Sequence, residues 1–82
     1  MRQPADDAYA QKVLSLARAD AERAVANPDK LALRSVAMFM ADELTRLSGE
    51  PGLTAALAGD ARKEASAIRE RMKRSVRRRI GA

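Results

Sequence analysis

Two proline-centred interruptions, Asn27-Pro28-Asp29 and Glu50-Pro51-Gly52, divide this chain of 82 residues into three segments. Proline lacks a backbone N–H and disfavours the α conformation in the residue before it, so neither interruption fits inside a regular helix. Within the segments, apolar residues recur at intervals of three and four, and no alternating run of β-branched residues competes. The reading is all-α: a small bundle of three main helices, forming a single domain over residues 1–82.

Helix 1 is expected over residues 5–26. Asp6 and Asp7 suit the positive end of the helix dipole, and the many alanines have the best helix propensity. Tyr9, Val13, Leu16 and Ala17 mark its apolar line, with Leu14 and Val25 off it. Arg18 and Glu22 are expected to pair at i,i+4. Asn27 is read as the N-cap of helix 2 and Pro28 as its first residue. Helix 2 then runs to about residue 48, with Gly49 as a left-handed C-cap.

Helix 2 is the most apolar segment. Leu33, Ala37, Met40, Leu44 and Leu47 are spaced 4, 3, 4, 3, which is a heptad seam. Leu31, Val36, Met38, Phe39 and Ala41 widen the apolar surface beyond it, so the helix should be buried on most sides. It is either an ordinary core helix or the main oligomer contact. A domain this small has little core, the aromatic residues are only Tyr9 and Phe39, and much of the apolar content is alanine. Such a chain commonly gains buried surface from a second copy, and a homo-oligomer using that seam is the expectation.

The third region runs from residue 53 to about 80. Gly59-Asp60 either divides it, with a short helix over 53–58 and a longer one capped by Asp60, or lies within one continuous helix; the break is the favoured expectation. After Asp60 the apolar positions Ala61, Ala65, Ile68, Met72, Val76 and Ile80 form a thin stripe.

The formal charge of +5 is unevenly placed. Residues 1–68 hold nine Lys/Arg and ten Asp/Glu, whereas residues 69–82 hold seven basic residues and one acid. Arg69, Arg71, Lys73, Arg74, Arg77, Arg78 and Arg79 therefore make a basic C-terminal helical extension on a nearly neutral body. Arginine presents a planar fork that matches phosphate oxygens, so DNA or RNA is the expected partner of this end. An acidic protein partner is a second reading. The plain alternative is that cations sit well at a helix C-terminus without any function. A membrane surface is disfavoured, because only Met72, Val76 and Ile80 would face the lipid.

Residues 51–70 partly resemble a helix-turn-helix. Ala55, Ala58, Gly59, Ala65 and Ile68 fall where such motifs place small residues, the turn glycine and core apolar residues. Asp60 and Thr54 depart from the pattern. The resemblance implies a second helix carrying Arg62, Lys63, Ser66 and Arg69 towards base edges.

Cysteine and histidine are both absent. That removes disulfides, thiolate metal sites, the commonest zinc ligand and the usual general base. Asp6-Asp7 and Asp42-Glu43 are adjacent pairs, and neighbouring helix residues point about 100° apart, so neither pair is an acid–base site. Asp20 and Asp42 are the one candidate pair for a hard cation across a helix hairpin, against the simpler reading as solvated acids. There is no phosphate loop or nucleophile elbow. No enzyme, cofactor or metal is expected. No apolar run reaches membrane-spanning length and no apolar signal region follows Met1, so a cytoplasmic protein is expected.

The expected function is that of a small helical accessory protein binding nucleic acid through its basic end. The rival is an adaptor or inhibitor that offers the apolar surface of helix 2 to a protein target.

Overall fold

The computed structural model describes the backbone of residues 5–81 and the side chains of residues 5–75. Three helices follow one another: α1 (Asp7–Ala26), α2 (Leu31–Leu47) and α3 (Ala55–Gly81). No strand occurs among the described residues.

The first helix begins where an acid can cap it. Asp6 is extended, at φ −126° and ψ 177°, and its carboxylate accepts a hydrogen bond from the Tyr9 N–H at 2.9 Å. One of the unpaired donors of the first turn is thereby satisfied. Asn27 closes the same helix rather than opening the next. Its side-chain amide donates to the Arg23 carbonyl at 2.9 Å, and its backbone N–H reaches the Arg23 and Ala24 carbonyls. The expectation that Asn27 caps α2 with Pro28 as its first residue is thus corrected. Pro28 keeps Asn27 out of the α region, and the amide is used on the orphan carbonyls of α1. A turn closed by the Lys30 N–H on the Asn27 carbonyl precedes α2, whose N-cap Lys30 makes no side-chain cap bond.

At its other end α2 stops at Leu47. Ser48 remains right-handed, at φ −62° and ψ −18°, and no glycine among the described residues has positive φ, so Gly49 is not a left-handed cap. The Ser48 hydroxyl donates to the Thr45 carbonyl at 2.6 Å instead. The third helix is continuous from Ala55 through Gly59 and Asp60 to Gly81. The expected break at Gly59 is absent. A single glycine costs only about 1 kcal/mol against alanine, too little to end a helix with buried residues beyond it.

The helices run up, down and up. Tyr9 near the start of α1 meets Glu43 near the end of α2, which sets those two antiparallel. The first turn of α1 meets the entry to α3: Asp7 accepts a hydrogen bond from the Thr54 N–H at 2.9 Å. Further along, Arg18 pairs with Glu64 and Arg71 with Glu22, so α1 and α3 are parallel. All three pairs of helices pack together, so α2 is not a central helix enclosed by the others.

The core takes Ala10, Val13, Leu14, Ala17, Ala21 and Ala24 from α1; Ala37, Ala41, Leu44 and Leu47 from α2; Leu53 from the loop; and Ala61, Ala65, Ile68 and Met72 from α3. Leu14 is inside and Leu16 is 49% exposed, the reverse of the expected stripe. The alanines at 10, 17, 21 and 24 decide the contact face, because small residues let a neighbouring helix approach. Leu44, Leu47, Ile68 and Met72 are the largest fully buried side chains.

The heptad seam of α2 is used inside the chain. Ala37, Leu44 and Leu47 are fully buried, and Leu33 and Met40 are partly buried against the core. Ala37, Leu44 and Leu47 therefore have no surface left to offer a second copy, whereas Leu33 and Met40 keep part of theirs. The outer face of α2 is not covered: Leu31, Val36 and Phe39 are 60%, 45% and 70% exposed.

Two glycines test this architecture from opposite sides. A Cβ at Gly52 would lie 2.5 Å from the Ala5 carbonyl oxygen, whereas a Cβ at Gly59 would meet nothing within 4 Å. Gly59→Ala is therefore expected to stabilise the protein by about 0.5–1 kcal/mol in chemical denaturation, since helix propensity improves without a clash. Gly52→Ala is expected to destabilise it. A loss of stability in Gly59→Ala would contradict the continuous α3.

Candidate nucleic-acid interface

The basic run divides into cations used within the fold and cations left outward. Arg69 is anchored to α2: its Nη2 donates to Asp42 Oδ1 at 2.9 Å and to Thr45 Oγ1 at 2.8 Å. Arg71 reaches α1, where its Nη2 donates to Glu22 Oε1 at 3.2 Å. Lys73 and Arg74 are exposed and have no carboxylate partner among the described residues. Arg77, Arg78 and Arg79 belong to the helical backbone of α3, and their side chains lie outside the described residues.

Two further cations share the outward side. Arg62 and Lys63 are exposed and likewise lack a carboxylate partner among the described residues. Arg62 and Lys73 are eleven positions apart, as are Lys63 and Arg74, and eleven residues are close to three helical turns. The four therefore lie in two near-axial rows about 16 Å long. Glu70 is exposed between them and dilutes the field. The count of charge by segment missed Arg62 and Lys63, because they lie before the basic run. Their eleven-residue spacing was the available signal.

The helix-turn-helix reading does not survive. That motif needs a turn at Gly59, and α3 passes through Gly59 as a helix. Without the turn, no separate recognition helix exists to hold Arg62, Lys63, Ser66 and Arg69 in a groove.

Three carboxylates, Glu22, Asp42 and Glu64, are committed to bridges between α3 and its neighbours. Arg18 and Glu22 do not pair with each other as expected: Arg18 Nε donates to Glu64 Oε1 at 2.5 Å, and Glu22 receives Arg71. Asp20 accompanies Arg23 at 3.8 Å and Asp42 accompanies Arg69, so the two acids proposed for a cation have separate basic partners. Among the described residues, no group of three His, Cys, Asp or Glu side chains could hold a metal ion. These exposed bridges contribute little each, on the order of 0–1 kcal/mol, and a phosphate can compete for their arginines.

No known family model, curated protein or solved structure matches this chain. Functional argument therefore rests on the chemistry of its surface. No described helix is long and apolar enough to cross a membrane.

The densest polar cluster lies where α1 meets the end of α2. The Tyr9 hydroxyl donates to Glu43 Oε2 at 2.6 Å. Arg46 donates to both Glu43 oxygens, at 2.7 and 2.8 Å, and to Glu50 at 2.9 Å. Planar guanidinium and carboxylate match in this two-pronged way. The hydrogen bond to Glu43 raises the Tyr9 pKa above its ordinary 10.0, with burial and the Glu43 charge adding to it and Arg46 opposing it. The bond to Glu43 likewise raises the Arg46 pKa, so that guanidinium stays charged. These bonds tie the start of α1 to the end of α2, as a staple between helices.

The raised Tyr9 pKa has a defined sign. Folding favours the protonated phenol, so its stabilising contribution is complete below the ordinary value of 10.0 and is lost as pH rises through the raised value. Tyr9 is the single tyrosine, so tyrosinate absorbance reports it alone. In the folded protein the titration should fall above 10.0, and Glu43→Gln should move it down. A wild-type titration at or below the ordinary value would contradict the Tyr9–Glu43 bond.

Proposed function

We propose that this chain is a small helical accessory protein that binds DNA or RNA through the basic outer face of α3, and that it acts as a homo-oligomer. The observation carrying this reading is the set of four exposed cations, Arg62, Lys63, Lys73 and Arg74, without carboxylate partners among the described residues. The sequence adds Arg77, Arg78 and Arg79 further along the same helix. A row of cations on a rigid helix suits a backbone of regularly spaced phosphates. Phosphate contacts position a protein without reading sequence, so low sequence preference is expected.

Arg71, Arg74 and Arg78 are spaced 3 and 4 and share a side of α3 by register. Arg71 must leave Glu22 or share it to reach a phosphate, whereas Arg74 has no such competitor among the described residues. Self-association would place several basic ends together and raise a weak single-site affinity. The second reading is an adaptor that presents the exposed Leu31, Val36 and Phe39 of α2 to a protein target, and the exposure of Phe39 favours it.

A binding titration on a short duplex and a short single strand, at several salt concentrations, tests the proposal. Affinity should fall steeply with salt, with a log–log slope of about −0.9 per phosphate contact on duplex DNA. Lys73→Ala with Arg74→Ala, and Arg62→Ala with Lys63→Ala, should each lower the affinity and flatten the slope. Arg71→Ala should cost less than Arg74→Ala. Removing residues 76–82 is a cleaner truncation than removing 70–82, because the longer cut takes away the buried Met72. Folded variants that bind as tightly as wild type, or wild type that does not bind at low salt, would move the assignment to the adaptor.

A further inference from the structure

Three of the four large apolar side chains exposed among the described residues belong to α2. Over residues 31–40 that helix has one charged side chain, Arg34. Leu31, Ser35 and Phe39 form one row at i,i+4 spacing, and Arg34, Met38 and Asp42 form the next. The open furrow between the rows is lined by these six residues. Rows and furrows of this kind are the surface on which another helix packs.

Two polar groups in the second row are incompletely used. The Nε of Arg34 is shut off from solvent and has no acceptor among the described residues. Asp42 gives Oδ1 to Arg69, yet its side chain is 74% exposed. Arg34 and Asp42 flank Met38 at equal distances along the chain, four residues on either side.

We propose that this face is a homodimer contact, in which α2 packs antiparallel on α2 of a second copy about a two-fold axis beside Met38. That symmetry brings Arg34 of each copy opposite Asp42 of the other, so one helix supplies both halves of two reciprocal ion pairs. A parallel two-fold arrangement would set Arg34 against Arg34 and Asp42 against Asp42, which is repulsive. In the antiparallel arrangement the two Met38 side chains meet beside the axis, and Phe39, the next residue along, flanks them and closes the apolar contact. Leu31 covers the outer edge. A foreign helix would need the same charge pattern in reverse order, and a second copy has it by symmetry. This contact gives a location to the self-association proposed above. It does not depend on nucleic-acid binding, and its test contains no nucleic acid.

The test is sedimentation equilibrium of the full chain over a wide concentration range. Wild type should be dimeric. Phe39→Glu should raise the dissociation constant by roughly thirtyfold or more, as for a central aromatic anchor, while helical circular dichroism is unchanged. Arg34→Asp and Asp42→Arg should each weaken the dimer, and the double exchange should bring it back to within about threefold of wild type. Asp42→Arg also removes the partner of Arg69, so a second probe independent of charge is included. The chain has no cysteine, and Met38→Cys should therefore cross-link to itself across the axis under oxidation or with a short bifunctional thiol reagent. A wild type that stays monomeric at the highest attainable concentration overturns the proposal and leaves the face to another protein. So does a dimer indifferent to Phe39→Glu and to the charge exchange, or one whose Met38→Cys variant yields no cross-link.

Discussion

The close approach of alanine faces is the constraint from which the rest of this structure follows. Among the described residues, eight of the fifteen buried apolar residues are alanine, with four of them on α1. Small contact residues bring helix axes together at the short end of the usual 8–10 Å. They also release little free energy, because each buries little area. The larger residues Leu44, Leu47, Ile68 and Met72 must then supply much of the apolar stabilisation, and each is almost completely enclosed. Truncating such a residue costs about 2–5 kcal/mol, a large share of the stability of a domain this size.

That closeness also explains the polar pattern at the helix margins. Side chains on facing edges are near enough to bridge, and Arg18–Glu64, Arg69–Asp42 and Arg71–Glu22 all cross between helices. These arginines therefore serve the bundle before they serve any ligand. On α3, the cations without a carboxylate partner among the described residues are Arg62, Lys63, Lys73 and Arg74. Helical position explains part of the division: Arg69 and Arg71 border the buried strip of Ala65, Ile68 and Met72 on its two sides, Lys63 and Arg74 lie opposite it, and Arg62 and Lys73 lie on the flank.

The helices were legible in the sequence because their stop signals are strong. Pro28 and Pro51 have few permitted places, and the three segments fall where they allow. Details that depend on tertiary competition were not legible. Asn27 has good chemistry for either end of a helix, and the carbonyls of α1 claimed it. Gly59 looked like a break because its local preference is for one, yet Ala61, Ala65 and Ile68 beyond it are all buried, which holds the helix through it. Leu14 and Leu16 could not be ranked by size or hydropathy, since the alanines choose the face. Arg18 and Glu22 had ideal local spacing and still went to α3, where each found a partner across the helix boundary. For the candidate interface, the basic run was plain from charge alone, whereas its division into bridging and outward cations needed the positions of Asp42 and Glu22.

The apolar excess of α2 illustrates a distinction that periodicity misses. Its heptad seam and its outer face are both apolar, and a sequence pattern cannot say which is used within one chain. The bundle takes the seam: Ala37, Leu44 and Leu47 are fully buried within it. The outer face then keeps Leu31 and Phe39 in water, an unfavourable arrangement for a domain with so little core. Covering that face with a second copy would tie folding to association, since any partner that binds only the folded form stabilises it by mass action. The same step would set the partner's Asp42 opposite the Arg34 guanidinium. An apolar row flanked by opposite charges at equal spacing from its centre therefore lets one contact cover exposed apolar surface and pair charges at the same time.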